Sequence, residues 1–368
     1  MIEELDQWRH PSTTYFYNFV NSLVEDKFYV RNKTVRGAPY DFRRAPNENT
    51  EFFVNLEELI EETYKLSGNR RVVLLGHSLG SLYSLYFLKL MTNSWKKKYL
   101  RAFISASSPL GGSMKAVKLQ TSGTSLGSPR KSIMFRKMQR SFPTSAFLMI
   151  RPEIFGNEPI VITPKRNYSA SDYEAFFADM SYPDGFMMYE DTKNLVNGFE
   201  TPEGVDEIYC IYSNGLPTIR QIKLESFPNG EPSLIYGDGD GTVNIKSLQI
   251  CKNWKNVHHS TIENVAHMEI VGTQEFIDLI VVRYPFTTNQ ITTKLVVLYS
   301  PELNPTEELF SIIKYRFNTL RISEPAINIM TYLGRVFSQR NNFSMECHGF
   351  YRHMREYMVK ERRSESFL

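Results

Sequence analysis

The stretch Gly76-His77-Ser78-Leu79-Gly80 places one serine between two glycines at the spacing G-x-S-x-G. That spacing suits a tight, strained strand-to-helix turn that lifts a serine hydroxyl clear of a sheet. Glycines two residues to either side keep side chains out of the approach. The chemistry on offer is nucleophilic attack on an acyl carbon. Serine is a weak nucleophile until a base takes its proton, and the base needs an acid to orient it. On turns of this kind the partners follow in the order Asp or Glu, then His, and the chain supplies both. Asp238 and Asp240 lie in the turn-rich stretch YGDGDGTVNIKS (236–247). Asp240 is the favoured acid, because it stands directly before Gly241-Thr242-Val243 as the loop closes toward a helix. A calcium loop is the other reading of Asp-Gly-Asp-Gly, but no glutamate follows at the EF-hand spacing. His258, His259 and His267 come next. The first two open an apolar-alternating stretch read as the last strand. His267 lies just past it, on the loop where a base must sit. The expected set is Ser78, Asp240 and His267.

Three widely separated residues can meet only if a scaffold ends its strands at a common edge. Val72 to Leu75 is a continuous apolar run, and Leu79 to Leu90 carries apolar residues at helical spacing, so a strand precedes the serine and a helix follows. RAFISASS (101–108) and EIYCIYSN (207–214) read as further strands. Strands alternating with helical stretches of this length imply βαβ units and a mainly parallel sheet, an α/β fold. Residues 113–205, with Gly/Ser/Pro-rich and basic stretches and then an aromatic-rich helical part, are far too long for a plain connection. They read as an inserted cap over the pocket.

Composition sets the outer limits. The chain has 368 residues, 42% hydrophobic and 23% charged, which is ordinary globular composition with room for a large domain and something smaller. No segment approaches eighteen consecutive apolar residues. The opening MIEELDQWRHPSTTYF is acidic and polar, without the apolar stretch of a signal peptide. Residues 290–368 hold 11 Lys+Arg against 8 Asp+Glu, which accounts for the whole formal charge of +3. So small an excess argues against a nucleic-acid partner. Three cysteines, Cys210, Cys251 and Cys347, match no zinc spacing and are too few for a disulfide scaffold. No metal or cofactor is expected.

Five stretches carry a family resemblance: VRGAPYDFRRAPNENTEFF (35–53), VVLLGHSLGSLYSLYFL (72–88), WKKKYLRAFISASSPLGG (95–112), GDGDGTVNIKSLQICKNW (237–254) and AHMEIV (266–271). Running colinearly over residues 12–285, they resemble the family of lecithin:cholesterol acyltransferase and the group XV lysosomal phospholipases A2. The phrase Tyr40-Asp41-Phe42-Arg43-Arg44 is peculiar to that family, whereas the serine turn is shared with many lipases. The resemblance implies an α/β-hydrolase with a cap over residues 1–289. It implies cleavage of a phospholipid fatty ester through an acyl-serine, with the acyl group passed to water or a lipid alcohol at a membrane or lipoprotein surface. Ser78 falls on the family's nucleophile, Asp240 on its acid and His267 on its base. Cys210 and Cys251 fall on a family disulfide, which suits a lysosomal or extracellular compartment. Sequons stand at Asn32-Lys33-Thr34 and Asn167-Tyr168-Ser169, the second matching a family glycosylation position.

The chain also departs from the pattern. The family's first strand, the glycine-containing loop that gives one oxyanion-hole amide, and a small membrane-binding region have no counterpart after Met1. The expectation is an exposed apolar sheet edge and impaired activity, with the Leu79 N–H as the remaining oxyanion donor. A turn at Pro109-Leu110-Gly111-Gly112 is the reserve source of a second amide.

TTKLVVLYSPELNPTEELFSIIKYRFNTLR (292–321) resembles the end of a Tc1-like transposase catalytic domain, of RNase H-like type, which makes residues 290–368 a separate α/β tail. Glu307 falls on that family's third metal-binding carboxylate, but two-metal chemistry needs partner carboxylates, and none stands upstream in the right context. The tail is therefore expected to pack little against the hydrolase core. The alternative is a catalytically inactive chimera whose tail binds nucleic acid. The residues leave the oligomeric state open.

Overall fold

In the computed structural model, ten strands form among the described residues, which are 15–27, 29–124, 132–283 and 294–298. They are β1 (Val35–Ala38), β2 (Val72–His77), β3 (Leu100–Ala106), β4 (Val161–Ile162), β5 (Asn167–Tyr168), β6 (Glu207–Asn214), β7 (Thr218–Leu224), β8 (Pro232–Gly237), β9 (Val257–Glu263) and β10 (Lys294–Leu298). The chain divides into two units, Met1–Leu303 and Asn304–Leu368, and every described residue belongs to the first.

Six strands make one parallel sheet in the order β1-β10-β2-β3-β6-β9. Strand β2 shows why it is layered. All six of its residues are buried, because a parallel strand flanked by crossover helices is covered on both faces. Val73 and Leu75 share a core with Phe19, Val20 and Leu23 of α1 (Tyr17–Lys27) and with Phe276 and Ile277 of the helix Gln274–Arg283. Val72 and Leu74 point the other way. They share a core with Phe53, Leu56 and Ile60 of α2 (Thr50–Leu66) and with Tyr83 and Phe87 of α3 (Leu79–Leu90).

The segment expected to form a cap has its own core and shares a small second sheet, in the order β5-β4-β7-β8. Met114 and Val117 of the helix Met114–Ser122 and Phe176 and Phe177 of the helix Tyr173–Asp179 pack on Ile222 and Leu224 of β7. This layer draws β7 and β8 from beyond residue 205. The apolar run Leu234-Ile235-Tyr236 that leads to the acid therefore lies in this second sheet.

Strand β10 departs from the expected tail. Lys294–Leu298 lies between β1 and β2, in register with Val35–Ala38 on one side and Val72–Gly76 on the other. Val296 joins the core of α2 and α3, Val297 joins the opposite one, and both are fully buried. A run of Leu295-Val296-Val297-Leu298 suits a strand covered on both faces. An apolar sheet edge was expected to stand open, and beside β2 this segment takes the place of an open edge. The rest of the transposase-like stretch, Glu307 and Cys347 lie outside the described residues. Cys210 on β6 and Cys251 form a disulfide with Cα atoms 5.7 Å apart.

Candidate active site

Strand β2 ends at His77, and α3 begins at Leu79. Ser78 joins them in the left-handed region, with φ of +54°, a strained conformation for a residue with a Cβ. Its N–H is held by the carbonyl of Ala106 at the end of β3, 2.8 Å away. The turn is tight enough that a Cβ on Gly76 would lie 2.6 Å from the Ser81 Cα. That contact is the physical reason for the first glycine of the motif. The family phrase near residue 41 braces the same helix. Arg43 bonds both carboxylate oxygens of buried Asp41, and the Tyr83 hydroxyl of α3 donates to the Arg44 carbonyl at 2.7 Å.

Asp240 follows β8, where the loop bridges to Leu216 just beyond β6. One carboxylate oxygen accepts the N–H groups of Thr242 and Val243, at 3.0 and 2.8 Å. These are the residues whose turn singled Asp240 out in the sequence. The other oxygen accepts from His267 Nδ1 at 2.6 Å. On the far side of the ring, the Ser78 hydroxyl donates to His267 Nε2 at 2.8 Å. Ser78, His267 and Asp240 therefore form one chain of hydrogen bonds across 189 residues of sequence. Burial raises the Asp240 carboxyl, but its hydrogen bond to His267, the charge there, and the two N–H groups outweigh this and hold it below 3.8.

The alternatives lie elsewhere. Asp238 is exposed and accepts the N–H of Gly215. His258 stacks on Tyr209, and His259 pairs with the Tyr212 hydroxyl, both along the edge strand β9. Leu79 opens α3, so its N–H is one of the first amides of a twelve-residue helix, which no intrahelical carbonyl takes up. The reserve amides of the 109–112 turn are spent. Leu110 N–H bonds the Ser108 carbonyl, Gly111 N–H the Ser247 hydroxyl, and Gly112 N–H the Pro109 carbonyl. Among the described residues no cluster of His, Cys, Asp or Glu could hold a metal.

Two neighbours of the site were not foreseen. Lys115 donates to the Thr242 hydroxyl at 2.7 Å beside the acid loop, and burial lowers its ammonium despite the nearby Asp240 charge. His77, only 2% exposed, reaches the backbone of His267. The signal was inside the motif itself, at the x before the serine.

Comparison with known proteins adds the chain's relatives. Lysosomal phospholipase A and acyltransferase of Mus musculus is 42% identical over 257 residues, 69% of this chain and 61% of its own. The protein of that name from Homo sapiens gives 42% over 257 residues, with the same shares. Phosphatidylcholine-sterol acyltransferase of Gallus gallus is 41% identical over 279 residues, 73% of this chain and 66% of its own. The chain thus spans about three fifths to two thirds of the length of these relatives. The family model for lecithin:cholesterol acyltransferase matches residues 1–282, from ahead of α1 to the end of the helix that backs the sheet, and to that family the chain belongs.

Proposed function

We propose that the chain is a serine-dependent lipid acyl hydrolase and O-acyltransferase acting on phospholipid fatty esters. The observation that carries this reading is the continuous Ser78–His267–Asp240 hydrogen-bond chain, at 2.8 and 2.6 Å. Ser78 Oγ attacks the ester carbonyl carbon as His267 Nε2 takes the hydroxyl proton. Asp240 fixes the ring so that Nε2 faces the serine, and it stabilises the imidazolium that forms. The carbonyl oxygen, now negative, sits against the Leu79 N–H and the amino end of α3. His267 then gives its proton to the departing lysophospholipid oxygen, which leaves an acyl-serine. Water or a lipid alcohol, deprotonated by the same Nε2, attacks that ester and releases fatty acid or a new acyl ester. The serine recovers its proton.

The same reading covers the setting. The rodent and human relatives are named as lysosomal, and the Cys210–Cys251 bond suits an oxidising compartment. Asn32 and Asn167 of the two sequons are both exposed and open to a glycan. The test uses phosphatidylcholine liposomes with and without a long-chain alcohol. Fatty acid should be released in both, acyl ester should form only with the alcohol, and Ser78→Ala should abolish both products. Product formation that survives Ser78→Ala would overturn the reading, as would a wild-type protein that cleaves no ester.

A further inference from the structure

We infer that His77 is a positioning residue, a backbone clamp that ties the catalytic base to the strand carrying the nucleophile. Its ring is buried between Tyr15 and Phe16 on one side and His267 on the other, with ring centroids 5.4, 6.4 and 4.9 Å away. Nε2 lies 2.8 Å from the carbonyl oxygen of His267, and Nδ1 is bonded to the Tyr15 hydroxyl.

These partners dictate the tautomer. A carbonyl oxygen can only accept, so Nε2 must carry the proton. Burial, helped by the nearby His267 charge, lowers the ring to about 3, so it is neutral and Nδ1 is left as an acceptor. Tyr15 is the donor that meets it, and burial keeps its phenol protonated. The polarity runs one way, from Tyr15 O–H through His77 to the His267 carbonyl.

The consequence lies at His267. Its N–H is held by the Asp240 carbonyl at 2.9 Å, and its C=O by His77. The main chain of the base is thus gripped at both ends, and one grip comes from the residue next to Ser78. Any shift of β2 carries nucleophile and base together. Misplacement of reacting groups by about 1 Å can cost about 10²-fold in rate.

The kinetic test rests on the hydrolase reading, and a second measurement does not. With p-nitrophenyl butyrate, His77→Leu should lower kcat at least about tenfold while KM stays within about twofold. His77→Gln returns a side-chain N–H near the Nε2 position and should recover most of the loss. Labelling of Ser78 by a fluorophosphonate should follow kcat, and urea midpoints should show both variants folded. A folded His77→Leu protein with wild-type kcat overturns the clamp, as does a His77→Gln no better than His77→Leu. Independently of activity, 15N-histidine spectra at pH 7 should report His77 as the neutral Nε2–H tautomer, and Tyr15→Phe should perturb that signal. A cationic or Nδ1–H ring at 77 overturns the clamp even if the wild type proves inert. Inertness toward both ester and fluorophosphonate with the expected tautomer would sink the hydrolase reading alone.

Discussion

Val296 and Leu74 stand opposite each other in adjacent parallel strands, both fully buried, although one lies in a stretch that reads as a separate tail. Strand β1 pairs with β10 on its inner side, so β10 links β1 to the rest of the sheet. Ending the chain at residue 289 should therefore loosen β1 and lower the urea midpoint, whereas ending it at residue 303 should preserve both. Val296→Asp buries a charge without a partner and should cost more than about 3 kcal/mol. Val296→Ala should cost about 1–3 kcal/mol. A chain ending at 289 with an unchanged midpoint would show β10 to be dispensable.

How much was legible follows from where the information resides. Strand β2 and the serine turn are local: four apolar residues, a glycine where an added Cβ would lie 2.6 Å from backbone, then helical spacing. Asp240 was legible over Asp238 because its carboxylate caps the Thr242 and Val243 amides, a contact two and three residues away. Strand β10 was not, because Leu-Val-Val-Leu specifies a buried strand but not which strands it pairs with. The spent amides at 110–112 were hidden for a similar reason, since the Ser247 hydroxyl that occupies Gly111 lies 136 residues away. His77 escaped because its partners, Tyr15 and the carbonyl of His267, are long-range as well.

Gly76 tests the serine turn without touching the reacting groups. An added methyl would meet Ser81 Cα, Gly80 O and Ser81 N at 2.6–2.7 Å, all of them backbone atoms that cannot rotate away. Gly76→Ala should push α3 off the end of β2. We expect a loss of about 1–3 kcal/mol in urea unfolding and a fall in kcat of at least about tenfold. Gly68→Ala, at a site with nothing within 4 Å but φ of +70°, should cost stability without slowing the reaction.

The disulfide closes a separation of 41 residues between β6 and the turn Gln249–Asn253. Chain entropy sets its contribution at about 4 kcal/mol, with about 2–4 expected in practice. Replacing both Cys210 and Cys251 by serine should lower the unfolding free energy by that amount. Reducing agent should shift the wild-type midpoint and leave the double variant unmoved. A wild-type protein indifferent to reductant under unfolding conditions would show that the bond is not formed in solution.

Asp240 couples rate and stability through one carboxylate. Asn in its place keeps the size but presents an amide that can donate toward Nδ1, favouring the wrong imidazole tautomer. Asp240→Asn should lower kcat by about 10⁴-fold with little change in KM. The pH dependence of folding follows from the direction of its shift. The folded carboxyl is held below 3.8, so the unfolded chain binds the proton more readily. Its stabilising contribution is therefore complete above that value and is lost as the pH falls through the lower, folded pKa. The gap in unfolding free energy between wild type and Asp240→Asn should shrink as the pH falls below about 4. Urea titrations at pH 3, 4, 5 and 7 would check this. A gap that widened from pH 4 to pH 3 would mean that burial outweighs the His267, Thr242 and Val243 hydrogen bonds. The carboxyl would then stand above its ordinary value, poorly placed to hold His267 as a base.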